Sequence, residues 1–283
     1  MSWLSNYAGR RVSLLTQHGK EQVVAPVLEQ GLGCVIEHVT GFDTDQLGTF
    51  TRDVPRPGSQ LDAARRKARK GMELSGLSLG LASEGSFGPD PFSGMFPWNV
   101  ELLVWLDDSL EIEVVSMAQG TARSAHLQSG DWVEVEAFAA RVEFPSHQLV
   151  LRPQSQGDPR INKGIADAGR LRTCFDECLA QSSNREVFIE VDLRACANPS
   201  RMNHIEQAAR DLLQRMQSYC PDCRTPGYWV TQRMPGLPCS DCGLPTSGYR
   251  DEVWRCLRCQ YQSVKARKYR AVAEPRHCSY CNP

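Results

Sequence analysis

Val12-Ser13-Leu14-Leu15-Thr16-Gln17-His18-Gly19-Lys20 decides the class of fold. Its first five residues form an apolar run that reads as a buried strand. The polar, glycine-containing stretch after them turns the chain into a helix over about 20–30. Gly31-Leu32-Gly33 stops that helix, and Cys34-Val35-Ile36-Glu37-His38-Val39 reads as a second strand. A polar stretch then runs to the breaker Pro55-Arg56-Pro57-Gly58. Ser59 caps a helix reaching about residue 74, whose apolar stripe is Leu61, Ala64, Ala68 and Met72. The rest of that helix is basic, through Arg65, Arg66, Lys67, Arg69 and Lys70. Residues 77–82 read as a strand that empties into the loop Ser83-Glu84-Gly85-Ser86-Phe87-Gly88-Pro89.

The alternation continues. Residues 100–106 and 112–117 read as a hairpin around Asp107-Asp108-Ser109, and 149–151 and 186–191 as strands. Helices are expected over 133–138, 166–180 and 199–219. In the last, Asn198 is the N-cap, Pro199 opens the helix, and Met202, Ile205, Ala209, Leu212 and Met216 form the buried stripe. Residues 1–219 are thus expected to be an α/β domain with a mixed sheet.

The tail differs in kind. Cys220/Cys223, Cys239/Cys242, Cys256/Cys259 and Cys278/Cys281 are four Cys-x-x-Cys turns. Each turn aims two thiolates at one point, and two turns make the sulfur tetrahedron that zinc prefers. Eight thiolates suit two closed, structural zinc sites, so 220–283 is read as a small zinc-ribbon domain. Sequential, alternate and nested pairings all satisfy the spacing. Nested is favoured here, because Cys239 to Cys259 reads as a compact ribbon by itself. The Gly after Cys242 permits the positive φ that points backbone N–H groups at sulfur. Cys34, Cys174, Cys178 and Cys196 lack this spacing, and Cys174 and Cys178 share a helix face suited to packing.

Composition bounds the setting. The 283 residues are 41% hydrophobic and 23% charged, as in an ordinary soluble globular protein. No apolar run reaches the roughly 20 residues of a membrane span. Met1-Ser2-Trp3-Leu4-Ser5-Asn6 lacks the pattern of a secretory signal. Reduced thiols holding metal in a cytoplasm are therefore expected. Net charge is −1, yet residues 220–283 hold ten Lys and Arg against five Asp and Glu. Part of that excess offsets dianionic tetrathiolate centres. Tyr261, Lys265, Arg267, Lys268, Tyr269 and Arg270 also interleave rings with cations, a pattern able to grip phosphates and stack bases, or to meet a protein partner.

Several motifs carry a likeness across nearly the whole chain. They run from Phe42-Asp43-Thr44-Asp45-Gln46-Leu47-Gly48-Thr49-Phe50 through Arg56-Pro57-Gly58-Ser59, Ala64-Arg65-Arg66-Lys67-Ala68, Ala82-Ser83-Glu84-Gly85-Ser86-Phe87-Gly88 and Pro97-Trp98-Asn99-Val100-Glu101. They continue in Ile161-Asn162-Lys163-Gly164-Ile165, Asp192-Leu193-Arg194-Ala195, Asn198-Pro199-Ser200-Arg201-Met202 and the cysteine tail. Together they resemble a bacterial family of unknown function, which implies no activity. The order of features in the N-terminal part also remotely resembles the Maf and inosine-triphosphate pyrophosphatase superfamily. Thr16-Gln17-His18-Gly19-Lys20 looks like its Thr-x-Asn-x-x-Lys loop, one residue shorter and with His for Asn. Ala63-Ala64-Arg65-Arg66-Lys67-Ala68 looks like its Asn-Ala-x-x-Lys-Ala helix without the Asn, and Ser83-Glu84-Gly85 like its magnesium-holding acidic loop. This second resemblance implies a mixed-sheet, three-layer domain that removes non-standard nucleotides.

The residues support that chemistry independently. A triphosphate needs cations, backbone donors and a bridging metal. Lys20 lies at a strand-to-helix junction, where helix N–H groups also attract anions. Lys67 lies two turns into a basic helix, and Glu84 at the C-terminal end of a strand, the usual ligand edge of an open α/β sheet. Glu84, Lys20 and Lys67 are the candidate catalytic residues. Thr16, His18, Asp45, Ser83, Gly85 and Ser86 are candidate ligand-binding residues. Asp43 is a second carboxylate beside Asp45, and Trp98 and Asn99 are candidate cleft residues. Glu190, Asp192 and Arg194 read as an ion network. The expected activity is magnesium-dependent hydrolysis of a nucleotide phosphoanhydride. The alternatives are a degenerate domain that senses a nucleotide and presents the zinc tail to nucleic acid or protein, and a tail that only stabilises the fold.

Overall fold

A computed structural model describes residues 6–42 and 58–283. Asp43 and Asp45 lie outside the described residues. The chain divides into two compact units, Met1–Leu106 with Val115–Leu212, and Asp107–Val114 with Leu213–Pro283. No described helix is long and apolar enough to cross a membrane.

Unit 1 begins as its sequence implies. β1 (Arg11–Leu15), α1 (Glu21–Leu32) and β2 (Val35–Val39) make a crossover in which β1 and β2 pair in parallel. Gly33 ends α1 in the left-handed region, φ 69°. α2 (Gln60–Ser75) opens on a full capping box between Ser59 and Asp62. It leads into β3 (Leu79–Pro89), which lies parallel to β1 on the edge away from β2. β4 (Pro97–Asp107) and β5 (Ile112–Thr121) complete the order β2-β1-β3-β4-β5. The short connections from β3 to β4 and from β4 to β5 permit only antiparallel neighbours, so the sheet is mixed. Ala64, Ala68 and Met72 of α2 pack on Ala82, Leu102, Val104 and Leu106, the even-numbered face of β3 and β4.

Two expectations need correction. The segment Ser83–Pro89 is strand, not loop. Gly85 within it reflects crowding from neighbouring side chains rather than a turn. A single mixed sheet was also expected, and unit 1 has a second one. β6 (His126–Ser129), β9 (Val187–Val191), β7 (Leu149–Pro153) and β8 (Asn162–Ile165) form a four-stranded antiparallel sheet in that order. Its odd-numbered face, including Leu149, Leu151, Val187 and Ile189, is covered by Val135 and Phe138 of α3 (Trp132–Arg141) and by Leu171 and Phe175 of α4 (Ala168–Gln181). Cys174 and Cys178 pack in that core, as their shared helix face implies. β6 and β8 are four residues each, too short for a legible period. α5 (Pro199–Met216) is capped by Asn198, whose side chain accepts from the Arg201 N–H at 3.0 Å.

Unit 2 holds an antiparallel sheet, β10 (Trp229–Pro235), β11 (Tyr249–Arg255) and β12 (Gln262–Ala266), with β11 in the middle. Cysteine turns occupy the segments before, between and after these strands.

Candidate functional site

The register Ser13↔Gly80 and Leu14↔Leu81 sets β1's last residue opposite Ala82. From Ser83 onward β3 runs past the end of β1, and the vacated edge is taken by Lys20. Its ammonium donates to the Ser83 carbonyl at 3.0 Å and lies 3.4 Å from the Ser83 hydroxyl. Lys20 is 5% exposed. Burial, followed by the nearby Arg201 charge, lowers its pKa from an ordinary 10.5 to about 7, while Glu101 and Glu84 oppose that fall.

Strand alternation then sorts the neighbours. Glu84 and Ser86 face α2, where Lys67 forms an ion pair with the Glu84 carboxylate and the Ser86 hydroxyl donates to Gln60 at 2.9 Å. The Gln60 amide donates to the Glu84 and Val100 carbonyls at 2.8 and 2.9 Å, which binds α2 to both strands. Ser83, Gly85 and Phe87 face the other way, toward Glu101 and Arg201. The Arg201 guanidinium donates to Glu101 at 2.6 Å and lies 5.8 Å from the Phe87 ring centre. Both partners are at most 2% exposed. The Asn99 amide donates to the same Glu101 oxygen at 3.0 Å and to the Ser86 carbonyl at 3.1 Å. Its oxygen must therefore accept from His204 Nδ1 at 2.8 Å, which fixes the imidazole tautomer. A Cβ on Gly85 would overlap the Glu101 carboxylate and come within 2.6 Å of the Arg201 guanidinium. Glycine is required there by close approach, not by a turn.

The structure thus brings Lys20, Lys67, Ser83, Glu84, Gly85 and Ser86 around one stretch of β3. Thr16 is buried, but its hydroxyl donates to the Gln17 carbonyl at 3.1 Å rather than to this group. His18 sits in the left-handed region, φ 68°, followed by Gly19 at φ 73°, and these two residues form the short loop before Lys20. Trp98 donates to Gln119 at 3.3 Å, and Asn99 has a central place. Asp192 and Arg194 pair at 2.5 Å as an ion network, with Glu190 3.8 Å from Arg152 instead.

Sequence reading missed Glu101, Arg201, His204 and Gln60. The signal for Arg201 was present. It stands four residues before Ile205 and seven before Ala208, so it heads the buried stripe of α5 in place of Met202, which is only half-buried. A cation on an apolar stripe needs a buried anion, and Glu101 leads into the apolar run Leu102–Leu106.

In unit 2 the eight tail cysteines gather into two groups, Cys220, Cys223, Cys256 and Cys259, and Cys239, Cys242, Cys278 and Cys281. The pairing is alternate, so the nested expectation is corrected. The reason is the sheet. Each of its strands starts near a turn of one group and ends near a turn of the other, which interleaves the four turns. Sulfur separations are 3.6 and 3.5 Å in the first group and 3.9 and 3.6 Å in the second. A tetrahedron of sulfurs about 2.3 Å from a central ion has edges of about 3.8 Å. Both groups therefore fit a four-coordinate metal ion such as zinc. Backbone N–H groups of Arg258 and Cys259 point at Cys256 sulfur at 3.3 and 3.4 Å. Gly243 has the expected positive φ, 71°, yet Arg224 and Gln260 hold the same place after Cys223 and Cys259 at 61° and 63°. Glycine was thus a cue for one turn, while two others adopt the conformation without it.

A family model described as a domain of unknown function, DUF6671, matches residues 67–283. No curated protein matches the chain.

Proposed function

The chain belongs to the DUF6671 family, and from its own residues we propose that unit 1 hydrolyses a phosphoanhydride bond of a nucleoside triphosphate, while the two four-cysteine groups hold structural zinc. The carrying observation is an imbalance of buried charge. Among the described residues, Lys20, Lys67 and Arg201 gather around Ser83–Gly85 against two carboxylates, Glu84 and Glu101. Cations kept from water without full compensation favour an anion. A polyphosphate supplies that anion, and the strand edge vacated at the end of β1 is where open α/β sheets receive ligands.

Magnesium fits this donor set in a limited way. Glu84 is a hard oxygen donor, but among the described residues no three carboxylates or imidazoles gather into a preformed cage. Magnesium is commonly held by one or two carboxylates together with substrate phosphates. Glu84 would hold it here, and the ion would supply charge neutralisation at the phosphoryl oxygens. Lys67 pairs with the Glu84 carboxylate and aims it. Lys20 neutralises phosphate from the opposite side of β3. Arg201, locked by Glu101 and by a 2.6 Å bond to the Leu193 carbonyl, holds the local field in place. In hydrolysis, water oxygen bonds to phosphorus, the bridging P–O bond breaks, and phosphate or pyrophosphate leaves.

The test is a panel of nucleoside triphosphates with magnesium or manganese, read as phosphate or pyrophosphate release. The chain is expected to turn over at least one of them, with Glu84→Gln lowering the rate by roughly a hundredfold or more. No turnover across the panel would overturn the reading.

Lys20 gives a separate expectation. Its charged form binds phosphate, and without ligand that form is lost as pH rises through about 7. Affinity for a non-hydrolysable triphosphate should fall from pH 6 to 9, approaching tenfold per unit on the alkaline side. Calorimetry should show this slope, and Lys20→Met should flatten it. The sign for stability is opposite. Between about 7 and 10.5 the unfolded chain keeps the Lys20 proton that the folded chain has lost, so this group's contribution to stability improves with rising pH.

A further inference from the structure

One face of the unit 2 sheet carries an ordered row of cations over aromatic rings. In β12, Ser263 and Lys265 share a face and Arg267 continues it. Across the sheet, Ser263 pairs with Trp254 and Lys265 with Glu252, and Glu252 in turn pairs with Arg233. The Lys265 ammonium lies 3.7 Å from the Trp254 ring centre and 5.3 Å from that of Tyr228. Arg267 and Arg233 both lie over Tyr249, at 4.4 and 4.8 Å. Tyr261, 39% exposed, extends the row beside Tyr228 with ring centres 6.0 Å apart.

The charges on this face do not cancel. Glu252 lies 3.6 Å from Arg233, which leaves Lys265 and Arg267 in excess. Two donors on the same face, Arg267 Nε and Trp254 Nε1, have no acceptor among the described residues. A buried donor without an acceptor is costly, so this face is short of acceptors. Rings hold the cations in fixed positions, which lowers the cost of ordering them on a ligand.

We propose that this face binds single-stranded nucleic acid, with Lys265 and Arg267 on consecutive phosphates and Tyr261 stacked on a base. Charge complementarity picks out a polyanion. An exposed ring in line with the cations picks out unpaired bases over a duplex, whose bases are already stacked. RNA and DNA single strands share this chemistry. The proposal concerns unit 2 and is independent of hydrolysis in unit 1.

The experiment uses the full, zinc-loaded chain and labelled mixed-sequence oligonucleotides, with RNA, DNA and duplex arms, read by fluorescence anisotropy over a salt series. Single strands of at least one sugar type should bind more tightly than duplex. Replacing both Lys265→Gln and Arg267→Gln should reduce the log–log salt slope by about 1.4, on the basis of roughly 0.7 per phosphate contact with single strands. Tyr261→Ala should weaken binding roughly tenfold with the slope retained. Arg255→Gln, on the opposite face by strand alternation, should change neither and guards against a general charge effect. Absence of binding at low salt, duplex binding as tight as single-strand binding, or an unchanged slope in the double variant with both metal ions retained would each overturn the proposal.

Discussion

Breaking one four-cysteine group is expected to empty both. Cys256→Ser removes a ligand from the first group only. Yet β10 runs from the Cys220/Cys223 turn toward the Cys239/Cys242 turn, β11 from there toward Cys256/Cys259, and β12 from there toward Cys278/Cys281. Every strand of the sheet is therefore tethered at one end to each group. One apolar cluster of unit 2 is Cys220, Tyr228 and Cys256 with Cys223 and Trp254 against them, so the first group is built into its core. Small domains of this kind draw their folding free energy from metal, about 10–16 kcal/mol for each structural zinc. The bound-metal count of Cys256→Ser should fall from two per chain to well below one, with unit 2 losing its fold. A strong chelator should do the same to the native chain. A variant that retains one ion and an intact sheet would show that the two groups fold independently.

The sequence is most legible where one short-range signal is enough. α2 is the clearest case, because Ser59, Asp62 and the Ala64/Ala68/Met72 stripe are local statements that agree. The Cys-x-x-Cys turns are local in the same sense, and their membership in metal groups follows. Their partnership does not, since it is set by strands between them whose register no spacing records. β3 failed for a related reason. Ser83-Glu84-Gly85-Ser86 has the composition of a loop, and its extended form depends on Asn99, Gln60 and Glu101, which lie elsewhere in the chain. Lys20 draws notice at a strand-to-helix junction, whereas Lys67 lies mid-way along α2 and Glu84 mid-way along β3, and both rest on motif likeness and chemistry rather than on an element's end. Glu101 and Arg201 stand inside elements, where only the cost of burying a charge gives them away.

That cost makes the last expectation large. Glu101→Ala leaves Arg201 buried without its carboxylate and removes the strongest support for a charged Lys20. Breaking one side of such a pair costs about 3–5 kcal/mol, which for a unit of this size lowers the melting temperature by roughly 10 °C. Glu101→Ala and Arg201→Met should each do so in calorimetry. The double variant Glu101→Leu with Arg201→Met has no orphaned charge and should recover most of the loss, because a buried ion pair is often no more stable than apolar side chains of similar volume. Stability and ligand affinity then part company. The repaired variant lacks both the Arg201 guanidinium and the Glu101 charge that supports a charged Lys20, so triphosphate binding should remain weak while the fold is restored. If the double variant recovers binding along with stability, Arg201 serves the architecture alone and the anion rests on Lys20 and Lys67. If the single variants melt like the native chain, the buried pair contributes nothing to the fold.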